Sequence, residues 1–276
     1  MKLLSQDEHV KVYDTGERVP CRDCGSAIPV KLTVMPCMGE MKAFTGKHEI
    51  CDECSAKYSR QEEDRIHRER VAKLYDASWL GPRFMDTSFD NWNKRPELDK
   101  KSVQKLEMAY QVCRSYAKGF RDAKLLGQGL ILMGGPGAGK THMVAAIANE
   151  LISQLTPVIF RPVPFMLKRI QATYKKNAAE TEDMLMSQLT GCDLLILDDV
   201  GAEKWSEWVE ATLFTIIDER YRQLLPVIIT TNCDLKELEA AIGSRNFDRL
   251  IEVCRFVDID VPSYRIAKAT GKEVSS

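Results

Sequence analysis

The run Gly134-Gly135-Pro136-Gly137-Ala138-Gly139-Lys140-Thr141 satisfies every fixed position of the phosphate loop G-x-x-x-x-G-K-[ST]. Glycines let the backbone curl so that its N–H groups point at phosphate oxygens. A helix starting there adds its positive end to the same anion. Lys140 can reach the β- and γ-phosphates, and the Thr141 hydroxyl can hold Mg²⁺. The ligand implied is a nucleoside triphosphate, with His142 as a further candidate contact. The bland alternative is a Gly-rich turn. The apolar strand Leu130-Ile131-Leu132-Met133 before the loop and the helical pattern Met143 to Leu151 after it argue against that.

Leu194-Leu195-Ile196-Leu197 is a second apolar strand, and it ends in Asp198-Asp199. Beside a phosphate loop, the first acid is suited to Mg²⁺ and the second to polarising the attacking water. Val227-Ile228-Ile229-Thr230-Thr231-Asn232 is another buried strand with a polar tip. Asn232 either hydrogen-bonds the attacking water or γ-phosphate, or simply forms a strand-end turn.

A separate chemistry lies near the N-terminus. Cys21-Arg22-Asp23-Cys24 and Cys51-Asp52-Glu53-Cys54 are two C-x-x-C knuckles with 26 residues between them. Two such knuckles complete a tetrahedral thiolate shell for Zn²⁺, closed to catalysis. Cys37 and His48 are possible substitute ligands. The intervening segment reads as too short and irregular for a core of its own, so metal would supply folding energy.

These sites need a scaffold, and 276 residues allow one large domain and a small one. Hydrophobic residues make up 44% and charged residues 29%, enough for a core and a solvated surface. No apolar run is long enough for a bilayer, and MKLLSQDEHV lacks the apolar core of a signal peptide, so the expectation is a cytoplasmic protein with no membrane partner. Nine cysteines in that compartment read as a metal site plus buried thiols. A net charge of −1 excludes a polycation, so any nucleic-acid contact must come from a local patch.

The organisation expected is a zinc-binding domain over 1–58, a charged helical linker over 59–78, and a nucleotide domain over 79–276. Trp79, Leu80, Phe84, Phe89 and Trp92 read as packing along the edge of that domain, with approach to a nucleotide base as the alternative. Val103, Leu106, Tyr110, Cys113, Ala117 and Phe120 recur at helical spacing on one apolar face. Strands are also read at 157–160 and at 256–260. Pro164 can open a helix with Phe165, Met166, Leu167 and Ile170 on its buried side. A later helix is read with Trp205, Trp208, Leu213 and Phe214 packing. Lys168, Arg169, Lys175 and Lys176 form either a solvated face or a phosphate-binding patch.

The ordered series GGPGAGKT, LLILDDVG, IITTN, GSRNFDRL and SYR…TGKE resembles the AAA+ ATPases of the helicase-loader family, the DnaC/DnaI type. The four-cysteine front end looks like the DnaI-type zinc domain that docks on the replicative helicase. The resemblance implies an α/β AAA+ P-loop ATPase domain with a five-stranded parallel sheet and minimal lid, preceded by a small zinc-binding domain. It implies ATP, Mg²⁺ and Zn²⁺, with a hexameric replicative helicase, single-stranded DNA and further copies of the chain as partners. Asn232 then aligns with sensor 1 and Arg265, within SYR, with sensor 2. Arg249, within FDRL, aligns with an arginine finger acting on a neighbouring subunit, and Arg245 can share that work. Residues 164–190 fall where the family lines a single-strand channel, which favours the DNA reading of the basic patch. The transposition helpers of the IstB type share the motif series, and a non-hydrolysing ATP-switched adaptor is the reading from another class.

Overall fold

The computed structural model describes the chain except for residues 7, 8, 39, 47, 94, 96, 176–179, 204, 205 and 270–276. Lys176, Trp205 and the TGKE motif therefore lie outside the described residues. The chain divides into two compact units, Met1–Glu69 and Arg70–Ser276.

The first unit holds a four-stranded antiparallel sheet of β1 (Lys2–Gln6), β2 (Lys11–Pro20), β3 (Ala27–Cys37) and β4 (Glu40–Gly46), in that order. This corrects the expectation of an irregular segment between the knuckles. β3 carries apolar residues at alternate positions, Ile28, Val30, Leu32 and Val34, which is the period of a strand. Its core is small: Cys21, Ile28 and Val30 are the buried apolar residues described there. Helix α1 (Asp52–Ser78) starts inside the second knuckle and carries Cys54 in its first turn. Residues 55–70 are exposed, and Arg65 bridges Glu62 at 2.5 Å and Glu69 at 2.6 Å. Mixed charge at i, i+3 and i, i+4 spacing is the pattern of a solvated helix, and solvent screens each exposed pair.

In the second unit, α2 (Lys100–Lys118) and α3 (Phe120–Leu125) precede a parallel sheet. The periodic apolar face is buried at Leu106, Tyr110, Cys113, Ala117 and Phe120, but the helix breaks at Gly119. Then come β5 (Gly129–Met133), α4 (Lys140–Ser153), β6 (Val158–Pro162), α5 (Val163–Ala172), α6 (Glu182–Gly191), β7 (Leu194–Val200) and α7 (Glu207–Arg222). The unit continues with β8 (Val227–Thr231), α8 (Leu235–Ile242), α9 (Ser244–Val253), β9 (Cys254–Asp258) and α10 (Tyr264–Ala269). The strand order is β6-β7-β8-β5-β9, all parallel. β5 to β8 are near-continuous apolar runs because helices cover both faces of the sheet. One core contains α2 and α4 residues; the other contains residues of α5 to α9. β9 begins at Cys254, two residues before the strand read from sequence, and lies at the edge of the sheet with only Cys254 and Val257 buried.

Phe165 corrects a second expectation. It is 72% exposed, while Val163, Met166, Leu167 and Ile170 take the buried side of α5. The buried positions 163, 166, 167 and 170 follow the i, i+3, i+4, i+7 spacing of one helix face, and Phe165, two residues on from Val163, lies about 200° round the helix from it. Arg220 is a core residue that no apolar pattern reveals. It is 1% exposed and donates to the carbonyls of Leu189, Cys192 and Pro226, closing the loops that enter β7 and β8. Among the described residues, no helix is long and apolar enough to cross a membrane.

Candidate functional site

In an open parallel sheet, ligands bind beyond the carboxyl ends of the strands. The order β7-β8-β5 sets three such ends side by side. The phosphate loop leaves β5, Asp198 and Asp199 lie in β7, and Thr230, Thr231 and Asn232 end β8. Residues almost a hundred positions apart converge for that reason.

Gly137 and Gly139 have φ of +80° and +109°, conformations that L side chains rarely adopt. Gly139 hands over to α4, whose first residue is Lys140. The Lys140 ammonium is 4% exposed and donates to the Gly134 carbonyl at 2.6 Å, the Gly135 carbonyl at 2.9 Å and Asn232 Oδ1 at 2.7 Å. Burial pushes its pKa down; the charges of Asp199 and Asp198 oppose that, and Arg265 adds to it. The ammonium is thus a buried cation held on neutral oxygens, a fit for an anionic phosphate.

Asp198 is 4% exposed and accepts from Thr230 Oγ1 at 2.6 Å and from Thr141 Oγ1 at 3.1 Å. Burial raises its pKa, against the hydrogen bonds from Thr230 and Thr141. Adjacent ligands of an octahedral Mg²⁺ at about 2.1 Å lie about 3.0 Å apart. The Thr141–Asp198 contact has that spacing, so the pair fits the ion. Asp199 has φ of +57°, at the register shift between β7 and β8. Its backbone N–H donates to Thr230 Oγ1 at 3.0 Å. Thr230 therefore braces both acids. The sequence contained a signal for it, the paired threonines of IITTN, but alternation alone made them strand residues.

Arg265 is exposed on α10, and its charge is felt at Lys140. Arg249 is elsewhere: it pairs with Asp218 at 2.5 Å, and its guanidinium lies 4.9 Å from the Phe214 ring centroid. Arg245 is exposed on the same helix. His142 meets Trp92 edge-on at 5.1 Å, and burial lowers its pKa. Trp92 thus lies against the loop helix, whereas Leu80 and Phe89 are core residues.

The basic patch does not form one free surface. Arg169 makes two bonds to Glu180, at 2.5 and 2.6 Å, and stacks on Trp79 at 3.3 Å. Arg161 covers the same ring at 3.5 Å. Lys168 is exposed, 6.0 Å from the Phe165 ring centroid, and Lys175 is exposed beyond the helix.

In the first unit the sulfurs of Cys21, Cys24, Cys51 and Cys54 all lie within 4.8 Å of one another. Cys24 and Cys51 are 3.6 Å apart. A Zn–S distance of about 2.3 Å gives a tetrahedron with edges of about 3.8 Å, so the donor set fits zinc. Hydrogen bonds from the backbone N–H groups of Cys24 and Cys51 favour the Cys21 thiolate, while the crowded neighbouring sulfurs push the Cys54 thiol up. Cys37 and His48 are not in the cluster among the described residues.

A phosphate loop leaving β5 of a parallel sheet, with a magnesium-type acid on β7 and β8 inserted between the two strands, defines an AAA+ P-loop ATPase fold. The chain belongs to the family described as IstB-like ATP binding protein, whose pattern matches residues 58–271. It is 27% identical over 205 residues to the replicative helicase loader DnaC of Escherichia coli (strain K12), covering 74% of this chain and 79% of that protein. The crystal structure of the DnaC helicase loader matches with a TM-score of 0.56 at 22% identity, over 65% of this chain and 100% of that one. The crystal structure of DnaI matches with a TM-score of 0.52 at 22% identity, over 67% of this chain and 94% of that one.

Proposed function

We propose that this protein is an ATP-dependent loader that binds a hexameric replicative helicase and deposits it on single-stranded DNA. The observation that carries the ATPase half is the convergence of Lys140, Thr141, Asp198 and Asn232 at adjacent strand ends. Mg²⁺, when bound, neutralises charge on the transferring phosphate. Thr141 and Asp198 hold it, Lys140 binds the phosphates, Asp199 polarises the attacking water and Asn232 orients it. Arg249, with Arg245, completes the centre from a neighbouring copy, so hydrolysis is slow until copies assemble on helicase and DNA. The relatives named as helicase loaders support the partner assignment. The zinc unit over 1–58 is the helicase-docking domain and 59–78 the linker. Lys168 and Lys175 contact DNA in the cytoplasm.

The family description favours one second reading, a transposition helper of the IstB type. Purified full-length protein, offered a replicative helicase and a transposase separately, distinguishes them. Capture of helicase that depends on Cys21 and Cys24 supports the loader; capture of transposase alone overturns it.

A further inference from the structure

Helix α10, which carries Arg265, is six residues long and buries none of its residues. So short a helix does not hold itself in place. What holds it is a set of contacts that the motif series does not include. The Tyr264 N–H donates to the Gly137 carbonyl at 2.9 Å. Ser263 Oγ stands 2.1 Å from where a Cβ on Gly137 would lie, so the turn before α10 rests directly on the phosphate loop. Behind it is Arg95, 2% exposed, which donates to the Pro262 carbonyl and lies 5.5 Å from the Tyr264 ring centroid. Glu97 accepts from Arg95 Nε at 2.9 Å. Three residues before Arg95, the Trp92 indole stands 2.6 Å from where a Cβ on Gly139 would lie. One short stretch of chain therefore grips the phosphate loop at Gly139 and the turn into α10 at Pro262.

We infer that Arg95 is a positioning residue for nucleotide: through Pro262 and Tyr264 it holds α10 on the phosphate loop and so aims Arg265 at the bound triphosphate, with Trp92 as the anchor of the strap. The inference rests on the proposed nucleotide role of Arg265. Arg220 shows the contrasting case. It too is a buried arginine on backbone carbonyls, but those carbonyls lie in the segments that enter β7 and β8, at the end of the strands opposite the phosphate loop.

The test is a double-mutant cycle on Mg·ATP affinity in the full chain, read by nucleotide-induced tryptophan fluorescence, with thermal melts as the folding control. Arg95→Ala and Arg265→Ala are each expected to weaken binding about tenfold, and the double variant by no more than about tenfold, because both remove one contact. Unchanged affinity in either single variant, or a loss in the double equal to the product of the two, overturns the inference. Should Arg95→Ala fail to fold, Glu97→Gln is the substitute. A smaller loss that vanishes in the Arg265→Ala background supports the strap, and unchanged affinity overturns it. Absence of Mg·ATP binding by the unaltered protein refutes the proposed function itself; binding with an additive cycle refutes only the strap.

Discussion

Thr141 donates its hydroxyl to Asp198 across 57 positions of sequence, at 3.1 Å to one carboxylate oxygen and 3.3 Å to the other. The contact joins the first turn of α4 to the end of β7 through neither backbone ladder. It holds a buried carboxylate where a cation is wanted, and the apo protein bears the cost of that charge.

The cost is measurable as a pH effect. Burial raises the Asp198 pKa above its ordinary 3.8. The folded chain therefore binds that proton more tightly than the unfolded chain. The group's contribution to stability is full below pH 3.8 and is lost as pH rises through the higher folded value. Asp198→Asn should accordingly raise the apo Tm at pH 7 by about 2–4 °C. The gap should close as pH falls towards 4, while Mg·ATP stabilises the unaltered protein and not the variant. Equal apo melting at pH 7 sinks the argument.

Lys140 and Asn232 share a hydrogen bond but should separate kinetically. Lys140→Ala removes a buried cation held on the loop's own carbonyls, and Mg·ATP affinity should fall by about a hundredfold or more. Asn232→Ala should keep affinity within a few fold and lose about 10²-fold in turnover if, as proposed, it orients the attacking water. Titration and single-turnover assays read the two quantities apart.

Local chemistry at this site was legible in the sequence wherever one residue type has few substitutes. Gly137 and Gly139 need φ values that other residues resist, and strand ends such as Asp198 follow an unbroken apolar run. The strands were read one by one from such runs, and their parallel arrangement from the family resemblance. Less legible were contacts that depend on how separate segments meet. Thr230 looks like any strand threonine until β7 and β8 pair, and Arg95 like any loop arginine until Pro262 covers it. Phe165 was misread because the run Phe165-Met166-Leu167 is apolar throughout, and the step of about 100° per residue puts only the last two on the face shared with Val163 and Ile170. The N-terminal sheet was missed because its strands bury so little that charged residues dominate the pattern.

The cysteine cluster should bind one zinc per chain. Structural zinc in small domains carries about 10–16 kcal/mol of apparent binding free energy, which the thin core of Ile28 and Val30 does not replace. Cys24→Ser should lose the metal and expose Met1–Glu69 to protease, while Mg·ATP binding persists. Elemental analysis with limited proteolysis decides it; full protection without metal would remove zinc from the account.

Phe165 and Lys168 place an exposed ring beside an exposed ammonium, the combination that binds single strands by stacking and charge. Phe165→Ala should weaken single-stranded DNA binding by about 5- to 100-fold, from the 1–3 kcal/mol of one stacked base. Lys168→Ala should instead flatten the log–log salt dependence by about 0.7. Arg169→Ala should leave that slope alone and lower the Tm, since its guanidinium is committed to Glu180 and Trp79. A salt slope that falls only with Arg169 would reverse the assignment.

The two arginines of α9 are in different states, and that sets the final prediction. Arg249 pairs with Asp218 over the Phe214 ring, and Asp218 also takes Arg222 at 2.9 Å. To act on a neighbour's phosphate, Arg249 must leave an aromatic-backed ion pair, whereas Arg245 is already exposed. If Arg249 is the finger, Arg249→Ala binds Mg·ATP normally and loses about 10³-fold or more in assembled turnover, and Asp218→Asn, by releasing it, raises turnover. If Arg249 only ties α9 to α7, Arg249→Ala and Asp218→Asn share a lowered Tm, and the turnover loss appears in Arg245→Ala. Turnover measured against protein concentration separates the two, because only a residue acting across copies loses its contribution on dilution.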